Sequence, residues 1–322
     1  MDDANLLGMT DGSQPPRDEL GRIVELVTPK LGQLGGEPEP LDGGITNRNY
    51  RARFGETDYV IRVPGKDTNL LEINRRCEVA ANDRAASLGV APPVAIALDD
   101  PAAIVTEFVT GHGMTSEELR EPSMLSRVAV SLARIHDAAD APQPCAVFDS
   151  FRLVETYAKT ATDRGARIPD AYEEAHATAA RIEVALSGPE HDPVPCHNDL
   201  LAANFIRGEA DQVWIVDWEY AGLGDRYFDL ANFAVNNELD AGDERALLRG
   251  YFDETPTTAQ LAALSLMKFM SDFREAMWGV VQQGASDIDF DFADYTRKHF
   301  ARLAETAEAP EFAAALEAAR GD

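Results

Sequence analysis

Apolar positions follow strand-like spacing in much of the first third of the chain and helical spacing in the rest. Residues 18–31 and 72–88 have apolar positions three and four apart, which predicts two helices, the second ending at Gly89. Strand-like runs precede and follow the second helix. These runs are residues 41–54, 59–63, 94–98 and 103–109, with Gly55-Glu56 as a turn.

After Gly111 the pattern changes to long alanine-rich stretches with helical periodicity. The predicted helices are residues 122–137, 170–187, 241–254, 257–283 and 291–320. One strand-rich segment, residues 194–217, interrupts them. A small β lobe followed by a large helical lobe predicts an α+β fold with a cleft between the lobes.

The domain boundaries are predicted from the same changes of pattern. Residues 18–108 should form the N-lobe, residues 109–322 the mainly helical C-lobe, and the hinge should fall near residues 107–113. Residues 1–17 are polar and contain two prolines, so we expect them to be disordered.

Charge and composition restrict the class of protein. The formal net charge is −27 over 322 residues, so we expect no nucleic-acid partner, because a phosphate backbone requires a basic surface. No apolar run reaches the roughly 18 residues of a membrane span, and the acidic N-terminus does not resemble a secretory signal. Cys77, Cys145 and Cys196 are far apart, which fits a reducing compartment. We therefore expect a cytoplasmic protein without membrane insertion.

One segment carries most of the candidate chemistry. Residues 196–206 read CHNDLLAANFI, and residues 213–220 read VWIVDWEY. An Asp in a loop, an Asn five positions later and an Asp after an apolar strand resemble the protein-kinase catalytic layout. Phosphoryl transfer needs a base near the attacking hydroxyl and Mg²⁺ on the phosphates, and Mg²⁺ prefers oxygen ligands. We expect Asp199 to orient and deprotonate the hydroxyl, and Asn204 and Asp217 to hold Mg²⁺.

The motifs HNDLxxxN, DWEYAG and GDxxFDLA, read in this order, resemble the choline/ethanolamine kinase family within the aminoglycoside phosphotransferase superfamily. Aminoglycoside phosphotransferases usually carry Gly where this chain has Asn198, and the family often has Pro where Arg226 stands. The resemblance covers roughly residues 40–300. It implies a protein-kinase-like two-lobed fold with a small antiparallel sheet in the N-lobe. It also implies transfer of the γ-phosphate of ATP, with Mg²⁺, to the hydroxyl of choline.

The same resemblance assigns nucleotide-binding residues to the N-lobe. Residues 43–50 are similar to the loop that covers the phosphates, where glycines allow backbone N–H groups to approach phosphate oxygens. A basic residue on the following strand grips phosphate and is held by a glutamate of the next helix. Residues 106–109 resemble the hinge whose backbone binds adenine. The implied nucleotide-binding residues are Gly43, Gly44, Thr46, Asn47, Asn49, Arg62, Glu78, Glu107 and Val109.

The implied acceptor site is aromatic and acidic. Choline carries a permanent cation without hydrogen-bond donors, and aromatic faces and carboxylates bind such a group best. The resemblance assigns Glu219, Tyr220, Trp278 and Tyr295 to the acceptor. Animal choline kinases have a second Trp where this chain has Val281, so the aromatic cage would be thinner and ethanolamine stays open as an acceptor.

Other functions remain as alternatives at this point. A kinase of the same fold could act on an aminoglycoside or another small alcohol, for which the acidic composition is suitable. A non-catalytic nucleotide-binding scaffold is disfavoured because all three catalytic and metal candidates are present together. A protein kinase is disfavoured because no Phe-Gly follows Asp217 and no Ala-Pro-Glu segment occurs beyond it.

Overall fold

The first part of the chain forms a five-stranded antiparallel sheet in the order β1-β2-β3-β5-β4. The computed structural model describes residues 17–41, 47–65, 71–138, 146–286 and 290–320. The strands of this sheet are β1 (Glu39–Leu41), β2 (Asn47–Phe54), β3 (Thr57–Pro64), β4 (Val94–Asp99) and β5 (Ala102–Glu107).

Helix α1 (Arg17–Leu31) covers one face of this sheet. Its Ile23 and Val27 are fully buried and share a core with Phe54, Ile61 and Val105 of the strands. The strand residues come from alternate positions, as expected where only one face of a sheet is buried. Helix packing on that face therefore fixes which side of β3 points away from the core.

Helix α2 (Arg75–Ser87) lies between the sheet and the helical part of the chain. The Asn74 side chain caps it by accepting hydrogen bonds from the backbone N–H groups of Arg76 and Cys77, at 3.1 and 3.2 Å. Ala85 of this helix belongs to the larger core, which the later helices form. The predicted lobe boundary near residue 108 stays a prediction.

The larger core is built around one long helix. Helix α9 packs against α5, α7, α10 and α11, and is buried on nearly all sides over residues 262–282. The helices after α2 are α3 (Ser116–Leu119), α4 (Pro122–His136), α5 (Ser150–Asp163), α6 (Tyr172–Ala185), α7 (Arg226–Asn236), α8 (Ala241–Phe252), α9 (Thr258–Ala285), α10 (Phe292–Glu308) and α11 (Phe312–Ala318). Within the described ranges, no helix combines the length and apolarity that crossing a membrane would require.

Two small sheets carry the segment with the candidate chemistry. Strands β6, β8 and β9 form one antiparallel sheet, and β7 pairs with β10 in the other. The strands are β6 (Gly111–Gly113), β7 (Val194–Cys196), β8 (Phe205–Gly208), β9 (Val213–Ile215) and β10 (Gly222–Gly224). Asp199 and Asn204 therefore lie in the loop between β7 and β8, and Asp217 follows β9.

The predicted secondary structure was wrong at three places. Residues 41–54 do not form one strand, because Leu41 ends β1 and pairs with Asn49 of β2. Residues 291–320 are two helices, since α10 ends at Glu308 just before Pro310, whose ring and missing N–H disfavour a helix interior. As a third difference, helices α3, α5 and α7 were not predicted.

Candidate active site

A buried aspartate of α7 anchors the loop before Asp199. Asp229 is fully buried, and its Oδ1 accepts a hydrogen bond from the backbone N–H of Asn198 at 2.6 Å. Its Oδ2 accepts one from the backbone N–H of His197 at 2.8 Å and lies 3.0 Å from Nε2 of His136. A carboxylate with these partners fixes the direction of the loop backbone.

Asn198 adopts a left-handed backbone conformation, with φ of +66°. Asparagine tolerates this region better than most residues other than glycine. Its Nδ2 donates a hydrogen bond to the carbonyl of Tyr220 at 3.0 Å. The side chain thus ties the loop to the segment after Asp217, a link that glycine at this position would lack.

His197 braces the same loop from within. Its Nε2–H donates to the carbonyl of Val216 at 3.0 Å, so the neutral ring accepts the backbone N–H of Asp199 at Nδ1, at 3.2 Å. Burial lowers the pKa of His197, which favours this neutral form. The ring therefore holds the backbones of Asp199 and Val216 in one arrangement.

The three residues predicted for catalysis and metal binding lie in connected loops. The Asn204 amide nitrogen donates to the carbonyl of Asp199 at 2.8 Å, which leaves the amide oxygen as its ligand atom. The Asn204 carbonyl accepts the N–H of Val216, next to Asp217, at 2.9 Å. Burial raises the pKa of both Asp199 and Asp217, while a neighbouring arginine opposes the rise in each case.

Arg62 of β3 joins the sheet to the Asp217 loop. Its Nη1 lies 2.7 Å from Oε1 of Glu78 in α2, so the predicted pair forms. Its Nη2 lies 2.9 Å from Oδ1 of Asp217 and 3.1 Å from Oε2 of Glu219. The guanidinium therefore stands directly beside a predicted metal ligand.

Glu219 belongs to the same ionic cluster. Its Oε2 accepts a hydrogen bond from Nδ2 of Asn47 at 3.0 Å and lies 3.5 Å from Nη1 of Arg75. Asn47 and Arg62 are predicted nucleotide-binding residues. The structure thus brings Glu219, which was predicted to bind the acceptor, into contact with residues of the nucleotide side.

The residues present fit a divalent cation. Asp217 Oδ1 is buried and receives no well-aligned hydrogen bond, although Arg62 is close. Glu219 shares the Arg62 guanidinium with Asp217, and the Asn204 backbone is bonded to the residue before Asp217, so the donors these residues offer are oxygen atoms, which Mg²⁺ prefers. Asn204 and Asp217 are therefore the residues that would hold it.

Three of the four predicted acceptor residues, all except Glu219, lie together near Asp199 and Arg274. Trp278 of α9 donates from Nε1 to the hydroxyl of Tyr220 at 3.1 Å, and its ring lies 5.6 Å from that of Tyr295 in α10. The Tyr295 hydroxyl donates to Oε2 of Glu275 at 2.7 Å. Tyr220, Trp278 and Tyr295 thus form one aromatic group with an acidic side chain against it.

Two charged residues of this group were not predicted. Arg274 and Glu275 of α9 are buried and form an ion pair with each other. Nη1 of Arg274 lies 3.4 Å from Oδ1 of Asp199, and its guanidinium lies 4.4 Å from the centroid of the Tyr220 ring. The signal available in the sequence was a group of charged residues, Asp272, Arg274 and Glu275, in the middle of a helix whose neighbouring positions are mostly apolar.

Other predicted nucleotide-binding residues stay predictions. Gly43, Gly44 and Thr46 lie outside the described residues. Asn49 is opposite Arg62 in the β2–β3 pairing. Glu107 ends β5 and donates its backbone N–H to the carbonyl of Pro93 at 3.0 Å, so this N–H is used within the protein, and Val109 follows two residues later.

The small antiparallel sheet followed by a large helical part is typical of the kinase-like phosphotransferase fold, and the predicted site residues Asp199, Asn204 and Asp217 lie in connected loops of it. Residues 37–264 match the model of the phosphotransferase enzyme family, and the chain belongs to this family.

The relatives agree with the motifs. Protein LicA of Haemophilus influenzae is 29% identical over 276 residues, which cover 80% of this chain and 76% of that protein. Ethanolamine kinase 2 of Homo sapiens is 29% identical over 303 residues, covering 85% and 77%. A solved choline/ethanolamine kinase family protein from Mesorhizobium loti aligns with a TM-score of 0.80 and 29% identity, covering 94% of this chain and 100% of that one. The predicted family resemblance and kinase-like α+β fold are confirmed.

Proposed function

We propose that this protein transfers the γ-phosphate of ATP to the hydroxyl of a small cationic alcohol, with choline and ethanolamine as the two candidates. The observation that carries the proposal is the position of Asp199. Its backbone carbonyl accepts a hydrogen bond from the side chain of Asn204, a predicted metal ligand. Its carboxylate lies 3.4 Å from Arg274, whose guanidinium lies over the ring of Tyr220. A base at this position can contact both the acceptor alcohol and the phosphates of the nucleotide.

Asp199 would orient the acceptor hydroxyl and take its proton during transfer. Asn204 and Asp217 would hold Mg²⁺, which neutralises charge on the phosphates when bound. Arg62, held by Glu78, is available to contact phosphate oxygens with its planar guanidinium. In this mechanism most of the rate enhancement comes from positioning and charge neutralisation, and no phosphoenzyme forms.

The acceptor group supports a cationic substrate. Glu275 is paired with Arg274, and burial raises the pKa of Asp199. An ammonium group bound beside Asp199 would favour its ionised form, since an uncompensated charge is costly in a buried site. The names of the relatives, which include an ethanolamine kinase, support the same class of alcohol.

The test is ATP consumption by purified protein with Mg²⁺, against choline, ethanolamine, kanamycin and no acceptor, at low and high salt. Acceptor-dependent turnover with choline or ethanolamine, lost in Asp199→Asn, would support the proposal. Turnover with kanamycin alone would keep the kinase and replace the acceptor. Absence of turnover with every acceptor would favour a non-catalytic nucleotide-binding protein.

A further inference from the structure

The face of Tyr220 already carries a cation from the protein itself. The Arg274 guanidinium lies 4.4 Å from the ring centroid, a typical cation–π distance. Both residues are buried, so the guanidinium occupies the ring that an acceptor cation would need. A bulky cation can reach this face only if Arg274 moves away.

The other two aromatic rings contact each other. Trp278 and Tyr295 are arranged edge to face, with centroids 5.6 Å apart and planes at 67°. Trp278 also lies edge to face with Phe292, at 5.7 Å. Rings in direct contact leave no gap for a trimethylammonium group between them. The aromatic group therefore resembles a packed core more than an open cage.

The polar atoms of the group favour a ligand that can donate hydrogen bonds. The Glu275 carboxylate accepts from Arg274 and from the Tyr295 hydroxyl. A carboxylate offers about four lone-pair positions, so it can accept further donors. Although burial raises the pKa of Glu275, Arg274 and other partners lower it below its usual value, which keeps the carboxylate ionised.

Primary and quaternary ammonium groups differ in the number of hydrogen bonds they can donate. A primary ammonium has three N–H donors that can use the remaining acceptor positions of Glu275, and those bonds offset its lost hydration. A trimethylammonium has none, and its methyl groups would be pressed against a guanidinium of like charge. The group formed by Tyr220, Arg274 and Glu275 should therefore interact differently with the two cations.

We propose that Arg274 determines acceptor specificity, by occupying the Tyr220 face so that the site selects a primary-ammonium alcohol over a quaternary one. This inference rests on the proposed function. It assigns to the chain a preference for ethanolamine over choline, and it attributes that preference to one side chain of α9.

The test compares kcat/KM for ethanolamine and choline in wild-type protein and three variants. Arg274→Ser vacates the ring face. Arg274→Gln removes the charge from the ring face but keeps a side chain that can donate to Asp199 or Glu275, which protects the test if the serine variant folds poorly. Lys268→Gln is the matched control, because Lys268 is another cation of α9 and pairs with Glu244 of α8 at 2.5 Å.

We expect wild type to favour ethanolamine by about tenfold or more, because charge-assisted hydrogen bonds are lost with choline. Both Arg274 variants should shift the ratio toward choline by about tenfold, as an aromatic face becomes available. The control should lose stability with an unchanged ratio. A choline preference in wild type, or an unchanged ratio in the folded Arg274 variants, would overturn the inference alone. Turnover with neither acceptor in wild type would overturn the proposed function and the inference with it.

Discussion

Replacing Asp229 by asparagine tests whether the buried carboxylate of α7 holds the catalytic loop in place. The two oxygens of Asp229 accept the backbone N–H groups of His197 and Asn198 and lie against His136. Asparagine has nearly the same shape but only one acceptor oxygen. Its NH₂ group must therefore face a backbone N–H or displace the loop.

The expected loss can be worked from these contacts. One charge-assisted hydrogen bond contributes about 1.5–3 kcal/mol, and a buried donor left unsatisfied costs about 1–3 kcal/mol more. The free energy of unfolding should therefore fall by about 3–5 kcal/mol. Asn198 also loses the partner that holds its φ of +66°, so Asp199 should shift. A displacement of about 1 Å can lower kcat by about a hundredfold.

Urea unfolding gives the stability change, and acceptor-dependent ATP consumption gives kcat. The matched control is Asp170→Asn, because Asp170 is exposed and pairs with exposed Arg167 at 3.0 Å. That variant should unfold at the wild-type urea concentration. Wild-type stability and kcat in Asp229→Asn would refute the role assigned to the carboxylate. If the variant is less stable but its folded form keeps the wild-type kcat, the contacts of Asp229 stabilise the fold without contributing to catalysis.

Further substitutions test the other parts of the site. Asp199→Asn should lower kcat by about 10²–10⁴-fold while calorimetric ATP affinity stays nearly unchanged; surviving turnover would exclude it as the base. Asp217→Ala should abolish the Mg²⁺-dependent part of nucleotide binding, and addition of EDTA should have no further effect on that variant. Trp278→Ala should raise the KM of the acceptor far more than that of ATP, whereas equal changes would indicate damage to the core around α9.

The catalytic segment could be predicted because its residues are close in sequence. Asp199, Asn204 and Asp217 lie within one loop–strand–loop unit, so spacing and apolar runs were enough to propose their roles. The pairing of Arg62 with Glu78 followed from the family resemblance and is present at 2.7 Å. Residues 225–229 were expected from the family resemblance to support the site, but the particular contacts of Asp229 were not predicted, because they span more than 30 residues of sequence.

The two longer helices that were missed both carried a usable signal. In α7, Asp225 caps the helix, and the polar residues Arg226, Asp229, Asn232 and Asn236 recur three and four positions apart. Helix α5 had the signal: Asp149 caps it, and Val154, Tyr157 and Ala161 are buried at helical spacing. The buried Arg274–Glu275 pair could not be placed from sequence, because periodicity does not tell which charged residues of an apolar helix face a partner.

Helix α9 carries Arg274, Glu275 and Trp278, far along the chain from the loop with Asp199 and the strand end with Asp217. Under the proposed assignment, mutations in one stretch of the gene would change which alcohol is accepted while the stretch that encodes the transfer reaction is inherited unchanged. Because α9 is enclosed on nearly all sides, such mutations must conserve volume and charge balance. Related proteins with this fold should therefore differ in substrate preference by paired substitutions in α9, because single substitutions there would be selected against.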